Sequence, residues 1–593
     1  MLESREMPGA RLAAEDLRSW QTFDDVARHV DRHDVFEYWR STPYPLNLMD
    51  RNSYQVRIKF QEAAERHDPA LAKLLHHGRG LLDWNDIHAY RKVDPGNAKL
   101  RGLIGDVLDR GAWQLAWLPP SLPYYEMSGA YANPQLANFT KRLIFSAWSV
   151  APKAIAVMTS YEAERRAIEA AKLTDRRYDD RPITPPLQFR INAGRHASMP
   201  TLALLYPSVT LAQLGDPLNV ARTRGSAMPL DHETLFDVVR GRINDALAQL
   251  PPAPDAPGPV DQSWYWAAPF LLDRHLKKDE NPAFIPRMRS WIAEEDTESS
   301  LSSHVQLAET FDESTLGPRP PDLDIVLASL AIGGPGVCAL RALSRVTSGD
   351  DALQDITIRE AAYRIAHGLR SLFNKPEIIA LVRSGDDGSY WRAALDHCAS
   401  GCLQAVLDEY AHVLVESEGL QDSDAHSRAE VLSAVMVEAL SIRTATNTVE
   451  QVTATGSSIN LDEHRINSHL AARYGRIQSN EQAAQRESTI RTGFNSPFRP
   501  FVLASTSVGQ EGLDFHTYSH AIVHWNLPSN PVDLEQREGR VHRYKGHAVR
   551  KNVAGAHGAA ALDPENDDPW TAMFGHVPWS GVRAVACPRV ALW

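Results

Sequence analysis

The chain has 593 residues, 43% of them hydrophobic, and a formal net charge of −12. That length allows about three to five domains with sizeable cores, while the acidic balance excludes a general basic coat for nucleic acid, so any such contact must be local. Four cysteines, Cys338, Cys398, Cys402 and Cys587, suit a reducing compartment. The N-terminal MLESREMPGARLAAEDLRSW has no apolar signal core, and no stretch reads as long and apolar enough to span a membrane. The expected location is the cytoplasm, with no membrane partner.

Residues 10–118 read as helical and connective. Leu17, Phe23, Val26, Val30, Val35 and Tyr38 keep a loose helical period that Pro43 and Pro45 stop. Val56, Phe60 and Ala63, then Leu71, Leu74 and Leu75, suggest two more helices, with others at Trp84 to Tyr90 and Leu100 to Leu108. Trp113, Trp117, Tyr124 and Tyr125 have the character of a base-stacking set, but aromatics pinning a linker to a neighbouring lobe are the stronger reading. Lys141-Arg142-Leu143-Ile144-Phe145-Ser146-Ala147-Trp148 leads into a buried strand with a polar end, and a helix follows to about Ala171.

From 172 to 460 the pattern is mostly helical, with apolar periods at 231–250, 322–346, 355–383 and 389–417. Residues 251–259 form a proline-rich stiff spacer, and 292–321 read as an acidic, serine-rich loop. Ser226 and Asp231, lacking a positioned base, are ordinary loop residues. Cys398 and Cys402, four apart in DHCASGC, fit one helix face and read as buried thiols rather than a zinc site. Asp408-Glu409-Tyr410-Ala411-His412 lies inside the helical pattern LQAVLDEYAHVL and is no metal motif; no metal ligand set is expected. Nowhere in the sequence does G-x-x-x-x-G-K-[ST] or D-E-x-H occur, so nothing here cradles β- and γ-phosphates.

Residues 498–551 carry the most information. Phe501-Val502-Leu503-Ala504 reads as a buried parallel strand delivering Ser505, Thr506 and Ser507 to its C-terminal end, the edge where open α/β sheets bind ligands. A loop with Gly509, Gly512 and Asp514 follows, then the strand Ala521 to Trp525 and the turn Asn526-Leu527-Pro528-Ser529-Asn530-Pro531. Between Arg537 and Lys551 stand Arg537, Arg540, Arg543, Lys545, Arg550 and Lys551 against the single acid Glu538, a run suited to phosphate.

This stretch resembles the second RecA-like lobe of superfamily II helicases and translocases, most closely the bacterial Swi/Snf-like branch. LASTSVGQEGLDF at 503–515 is similar to motif V, and QREGRVHR at 536–543 to the motif VI pattern Q-x-x-G-R-x-x-R. KRLIFSAW at 141–148 resembles motif IV more loosely, as do Tyr474-Gly475 and Phe494-Asn495 the segment before motif V. The resemblance implies an α/β fold: a RecA-like parallel-sheet lobe interrupted by a large, mostly α-helical insertion and preceded by a helical connector. The expected boundaries are a connector at 1–118 following a missing first lobe, the start of the second lobe at 119–171, the insertion at 172–460, the rest of the lobe at 461–556, and a tail at 557–593 that reads as an imprecise natural end or a truncation.

The resemblance also implies roles. Arg540 and Arg543 are the expected arginine fingers; Gly512, Asp514, Gln536 and Gly539 are placed for the nucleotide. Ser146, Lys153, Thr506, Ser507, Lys545 and Arg550 are placed for a nucleic-acid backbone. ATP and Mg2+ would be held mainly by a first lobe outside this chain. Expected partners are nucleic acid, duplex DNA first, and a separate polypeptide carrying that lobe or defence-system proteins, in a setting of DNA repair or phage defence. The alternative is a non-catalytic module that keeps the helicase surface only for binding nucleic acid or protein.

Overall fold

The computed structural model describes the chain apart from residues 1–2, 7–9, 174, 182, 193, 252–258, 277–283, 296–298, 348, 384–388, 443–444, 475–480, 507–513, 578–588 and 593. Residues 252–258 of the proline-rich spacer, Gly475 and Cys587 therefore fall outside the described residues.

Among the described residues, ten strands form three sheets: β1 (Glu3–Glu6), β2 (Lys141–Ser146), β3 (Arg190–Asn192), β4 (Arg195–Ala197), β5 (Ala445–Thr455), β6 (Ser458–Ser468), β7 (Ala471–Tyr474), β8 (Val502–Thr506), β9 (Ser519–His524) and β10 (Arg589–Leu592). The main sheet is wholly parallel, in the order β1-β10-β9-β2-β8-β7. In its centre, Ile144 of β2 pairs with Ala504 on one side and Val523 on the other. Apolar residues are needed on both faces of such a strand, and successive side chains divide between them. Leu143, Phe145, Leu503 and Ile522 pack with Phe494, Phe515 and Val541. Ile144, Ala504 and Val523 join the main core together with Ala154, Ile155 and Val157, which lie on the helix Val150–Ala170. The fold is the expected α/β lobe with a large helical component.

Before β2, helices at Ala14–His29, Phe36–Ser41, Pro45–Leu48, Gln55–Glu65, Pro69–His77, Trp84–His88 and Ala98–Val107 follow the apolar periods. Asp68 caps the fifth through two backbone amides, with Pro69 at its first position. The insertion helices follow the predicted periods too, but the longer periods break in two. Gly334 separates Leu323–Gly333 from Pro335–Thr347, and Gly401 with Cys402 separates Tyr390–Ser400 from Leu403–Ser417. At Gly401 an added Cβ would meet the Trp117 indole nitrogen and the Tyr131 ring at 2.8 Å.

Several expectations need correction. Cys398 and Cys402 do not share a helix face, because Gly401 ends the helix and Cys402 adopts a left-handed φ of 48°. Both thiols are nonetheless fully buried, and burial pushes Cys402 up to about 11. Part of the stretch read as a serine-rich loop is the helix Ser299–Glu309. Residues 445–468 form the antiparallel hairpin β5–β6 instead of helix. The run Leu323–Thr347 is long and apolar enough by composition to cross a membrane, but 83% of its apolar window is buried inside the protein. Among the described residues of the tail, the helix Pro569–Gly575 buries Trp570, and β10 pairs with β9.

The four linker aromatics are structural. Trp117, Tyr124 and Tyr125 are fully buried and Trp113 packs against the core. The Trp117 indole donates to the Gly401 carbonyl (3.1 Å), and the hydroxyls of Tyr124 and Tyr125 donate to Asp408 (2.7 Å) and the Ala399 carbonyl (2.8 Å). The DEYAH sequence in the helix Leu403–Ser417 is a joint. Asp408 also pairs with Arg345, Glu409 with Arg550 (2.7 Å), and His412 with Asp568 (2.6 Å). Breaking one side of a buried pair leaves a bare charge and costs about 3–5 kcal/mol, whereas replacing both sides with apolar groups is often neutral. Glu409→Ala should therefore lower the free energy of urea unfolding by that amount, and Glu409→Leu with Arg550→Leu should recover most of it.

Candidate nucleotide and nucleic-acid site

β8 ends with Ser505 buried and Thr506 half-buried at the C-terminal edge of the sheet. Ser507 and Gly512 lie outside the described residues. The chain resumes at Asp514, and Phe515 anchors it by burial on the sheet face shared with Phe145 and Val541. The Phe515 amide donates to the Arg540 carbonyl at 3.1 Å, so motif V and motif VI are joined through backbone.

The motif VI helix, Pro531–Gly539, starts under an Asn530 cap with Pro531 at its first position. Gln536 is exposed. Arg537 is buried, donating to the Asn526 carbonyl (3.0 Å) with its guanidinium over the Phe145 ring. Gly539 has open space where a Cβ would stand. Arg540 caps the helix and is half-buried, while Arg543 is exposed. The Arg543 Nε donates to the Asp514 carboxylate at 3.1 Å, and the Asp514 carbonyl accepts from the Asn495 side chain at 3.0 Å. The structure thus brings Asp514, Arg540 and Arg543 together. A cleft of about 460 Å³ opens on the Asp514 side of this group, lined among others by Asp514, His516, Arg491, Tyr544 and Lys545 and by neither Arg540 nor Arg543.

The residues expected on nucleic acid are more deeply engaged. Arg550 is fully buried, bonding Glu409 and the Thr517 and Lys545 carbonyls (2.7, 2.5 and 2.9 Å), the bonding of a structural cation. Lys545 pairs with Glu416, its ammonium 4.3 Å from the Phe574 ring centroid. The buried Ser146 hydroxyl donates to the Asn526 side-chain oxygen (3.0 Å), and the Asn526 amide donates to the Ser41 hydroxyl (2.9 Å). Lys153, also buried, donates to Asp50 at 2.6 Å. The N-terminal helices therefore cover the strand ends where an open contact was expected. The sequence reading missed Asp50 and Arg473. Arg473 stands near the polar end of β7, a signal of the kind that singled out Ser146, whereas Asp50 carries no local signal.

Two histidines beside the motifs, His524 fully buried and His516 half-buried, are held neutral. Burial, with Arg537 nearby, holds His524 down to about 4. Burial also takes His516 to about 4, Asp514 opposing the shift and Arg550 and Arg543 assisting it.

Residues 434–545 match the family model of the helicase conserved C-terminal domain. No curated protein and no solved structure matches the chain. The match runs from within the helix Ala425–Leu440 to Lys545 and takes in β5 to β9 and the motif VI helix. It supports a helicase C-terminal lobe in this part of the chain.

Two outcomes follow from this geometry. The Arg543–Asp514 pair has side chains 47% and 46% exposed, so it is worth about 0–1 kcal/mol; Asp514→Asn should leave unfolding free energy within about 1 kcal/mol of native. The neutral histidines act through linkage. An unfolded imidazole takes a proton near about 6.5, whereas His516 and His524 resist it to about 4. The unfolded state then binds more protons as pH falls. Stability should be level above about pH 7 and decline between about 6.5 and 4, with His524→Gln making the decline shallower in unfolding measured across that range.

Proposed function

We propose that this chain supplies the second RecA-like lobe of a Swi/Snf-like, ATP-driven translocase acting on nucleic acid, duplex DNA first. The first lobe, with its grip on ATP and Mg2+, comes from outside these 593 residues. The observation that carries this reading is the joining of motifs V and VI, with Asp514 and Arg543 in contact beside Arg540 on one face of a parallel sheet. A module that only binds has no need of this arrangement.

The chemistry follows from the side chains. Phosphoryl transfer to water spreads charge over the oxygens of the transferred group, and a guanidinium offers planar, paired donors that match them. Arg540 and Arg543 are the fingers in this reading. Arg543 leaves Asp514 at small cost, because both groups are half in water. Asp514, once released, is a carboxylate free to accept from ribose hydroxyls, with Gly512, Gln536 and Gly539 shaping the surroundings. Thr506 and Ser507 at the end of β8 are the proposed backbone contacts. Closure of the two lobes on ATP and reopening after hydrolysis would shift that grip along the strand.

A second reading, a non-catalytic binding module, draws support from Ser146 and Lys153, whose polar groups are already taken inside the fold. The readings separate on one experiment. An arginine finger is worth on the order of 10³–10⁵ in rate. With the first lobe supplied, Arg540→Ala and Arg543→Ala should each lower DNA-stimulated ATP hydrolysis by about 10³ or more while DNA binding persists. Unchanged hydrolysis in both variants would leave the binding module.

A further inference from the structure

Among the described residues between 172 and 440, the regular elements are helices apart from β3 and β4, which pair antiparallel across a turn at Gly194, φ 77°. The ribbon is rooted at both ends. Before β3 the Leu187 amide and carbonyl both bond the Asn374 side chain (3.0 and 3.2 Å), and the buried Phe189 ring lies 5.0 Å from the Arg370 guanidinium. At the end of β4 the Ala197 carbonyl accepts from His304 at 2.8 Å.

The register decides what each face of the ribbon carries. Arg190 stands opposite Ala197, Ile191 opposite His196, and Asn192 opposite Arg195. Residues directly opposite share a face, and neighbours along a strand alternate. Ile191 and His196 therefore share the face turned to the helix Ser299–Glu309, where His196 Nε2 bonds the Ser303 hydroxyl at 2.7 Å and its ring meets the His304 ring at 4.7 Å. The other face carries Arg190, Asn192 and Arg195, all three exposed.

Packing does not account for that outer face. The chain holds 74 acidic residues against 62 basic ones, yet neither Arg190 nor Arg195 has a carboxylate partner among the described residues. Arg190 leans only on the Gln188 side-chain oxygen, at 3.2 Å from Nε and 2.7 Å from Nη2. Two guanidiniums and an amide thus offer planar donors without an anion of the protein's own, a set that suits oxyanions supplied from outside. A two-stranded ribbon is also one of the two elements that the major groove of a duplex admits.

We propose that the β3–β4 ribbon is a duplex-DNA contact of the insertion, with Arg190 and Arg195 on backbone phosphates and Asn192 beside them. The choice of DNA as the polyanion rests on the function proposed above and deepens it: the insertion gains a grip on the duplex that does not pass through motifs IV to VI.

The test titrates the full chain, without nucleotide or first lobe, onto a labelled DNA duplex by anisotropy over a range of salt. Each phosphate neutralised contributes about −0.9 to the slope of log affinity against log salt. Arg190→Gln with Arg195→Gln should flatten that slope by about 2 and weaken binding about tenfold or more near about 0.1 M salt. Arg11→Gln with Arg66→Gln removes the same charge from exposed positions elsewhere and should leave the slope near native. An equal change in both double variants overturns the site, since charge alone would then explain it. Native affinity and slope in the ribbon variant overturn the proposal and leave the translocase reading standing, whereas a native chain that binds no duplex removes both. Weaker binding of polyglutamate with duplex binding unchanged overturns the assignment to DNA in favour of an acidic protein. Both arginines are exposed, so the melting curve should stay native. Should the double variant melt lower, Arg195→Gln alone is expected to flatten the slope by about 1, and an unchanged slope overturns the proposal equally.

Discussion

The buried contact between Glu409 and Arg550 is the constraint on which the architecture rests. Two opposite charges are taken almost wholly out of water, and each is stable there only because its remaining hydrogen-bonding capacity is filled. Glu409 also accepts from the Ser121 amide and hydroxyl, and Arg550 from its other nitrogens reaches two carbonyls. One helix, Leu403–Ser417, thereby ties the linker before β2, the insertion and the segment after motif VI to one another. The tail joins through His412 and Asp568. Such a joint is specific, because moving any one element strands a charge. It also means that the insertion is fastened to the residues following the proposed fingers.

The two faces of the main sheet serve different ends. One face packs Phe515 and Val541 and so carries Asp514, Arg540 and Arg543 at its margin. The other lies under the helix Val150–Ala170 and meets the N-terminal helices at its C-terminal edge. There Ser41 engages both Asn526 and Trp525, Trp525 donating to the Ser41 carbonyl at 2.8 Å. The polar strand ends are satisfied internally in this arrangement, so nucleic acid reaching them would have to exchange one set of hydrogen bonds for another.

What could be read in the sequence was local. β2, β8 and β9 announce themselves as short apolar runs with polar ends, and motifs V and VI are contiguous strings with fixed spacing. The helices of the connector and insertion follow their apolar periods, although those periods do not show the breaks at Gly401 and at Gly334. What could not be read was set by distant partners. Arg550 lies in the basic run that suggested phosphate, yet its fate is decided by a glutamate 141 positions earlier. Lys153 is decided by an aspartate 103 positions earlier. The β5–β6 hairpin did leave a local trace, alternating residues on either side of Gly456-Ser457, but it sat beside a long helical region that dominated the pattern. β10 is four residues long and is a strand only through its pairing between β1 and β9.

DNA-stimulated ATP hydrolysis, measured with and without the complementary RecA-like lobe, tests the proposed function. Hydrolysis is expected only when both are present. Robust hydrolysis by these residues alone, or none in the joined pair, would contradict it.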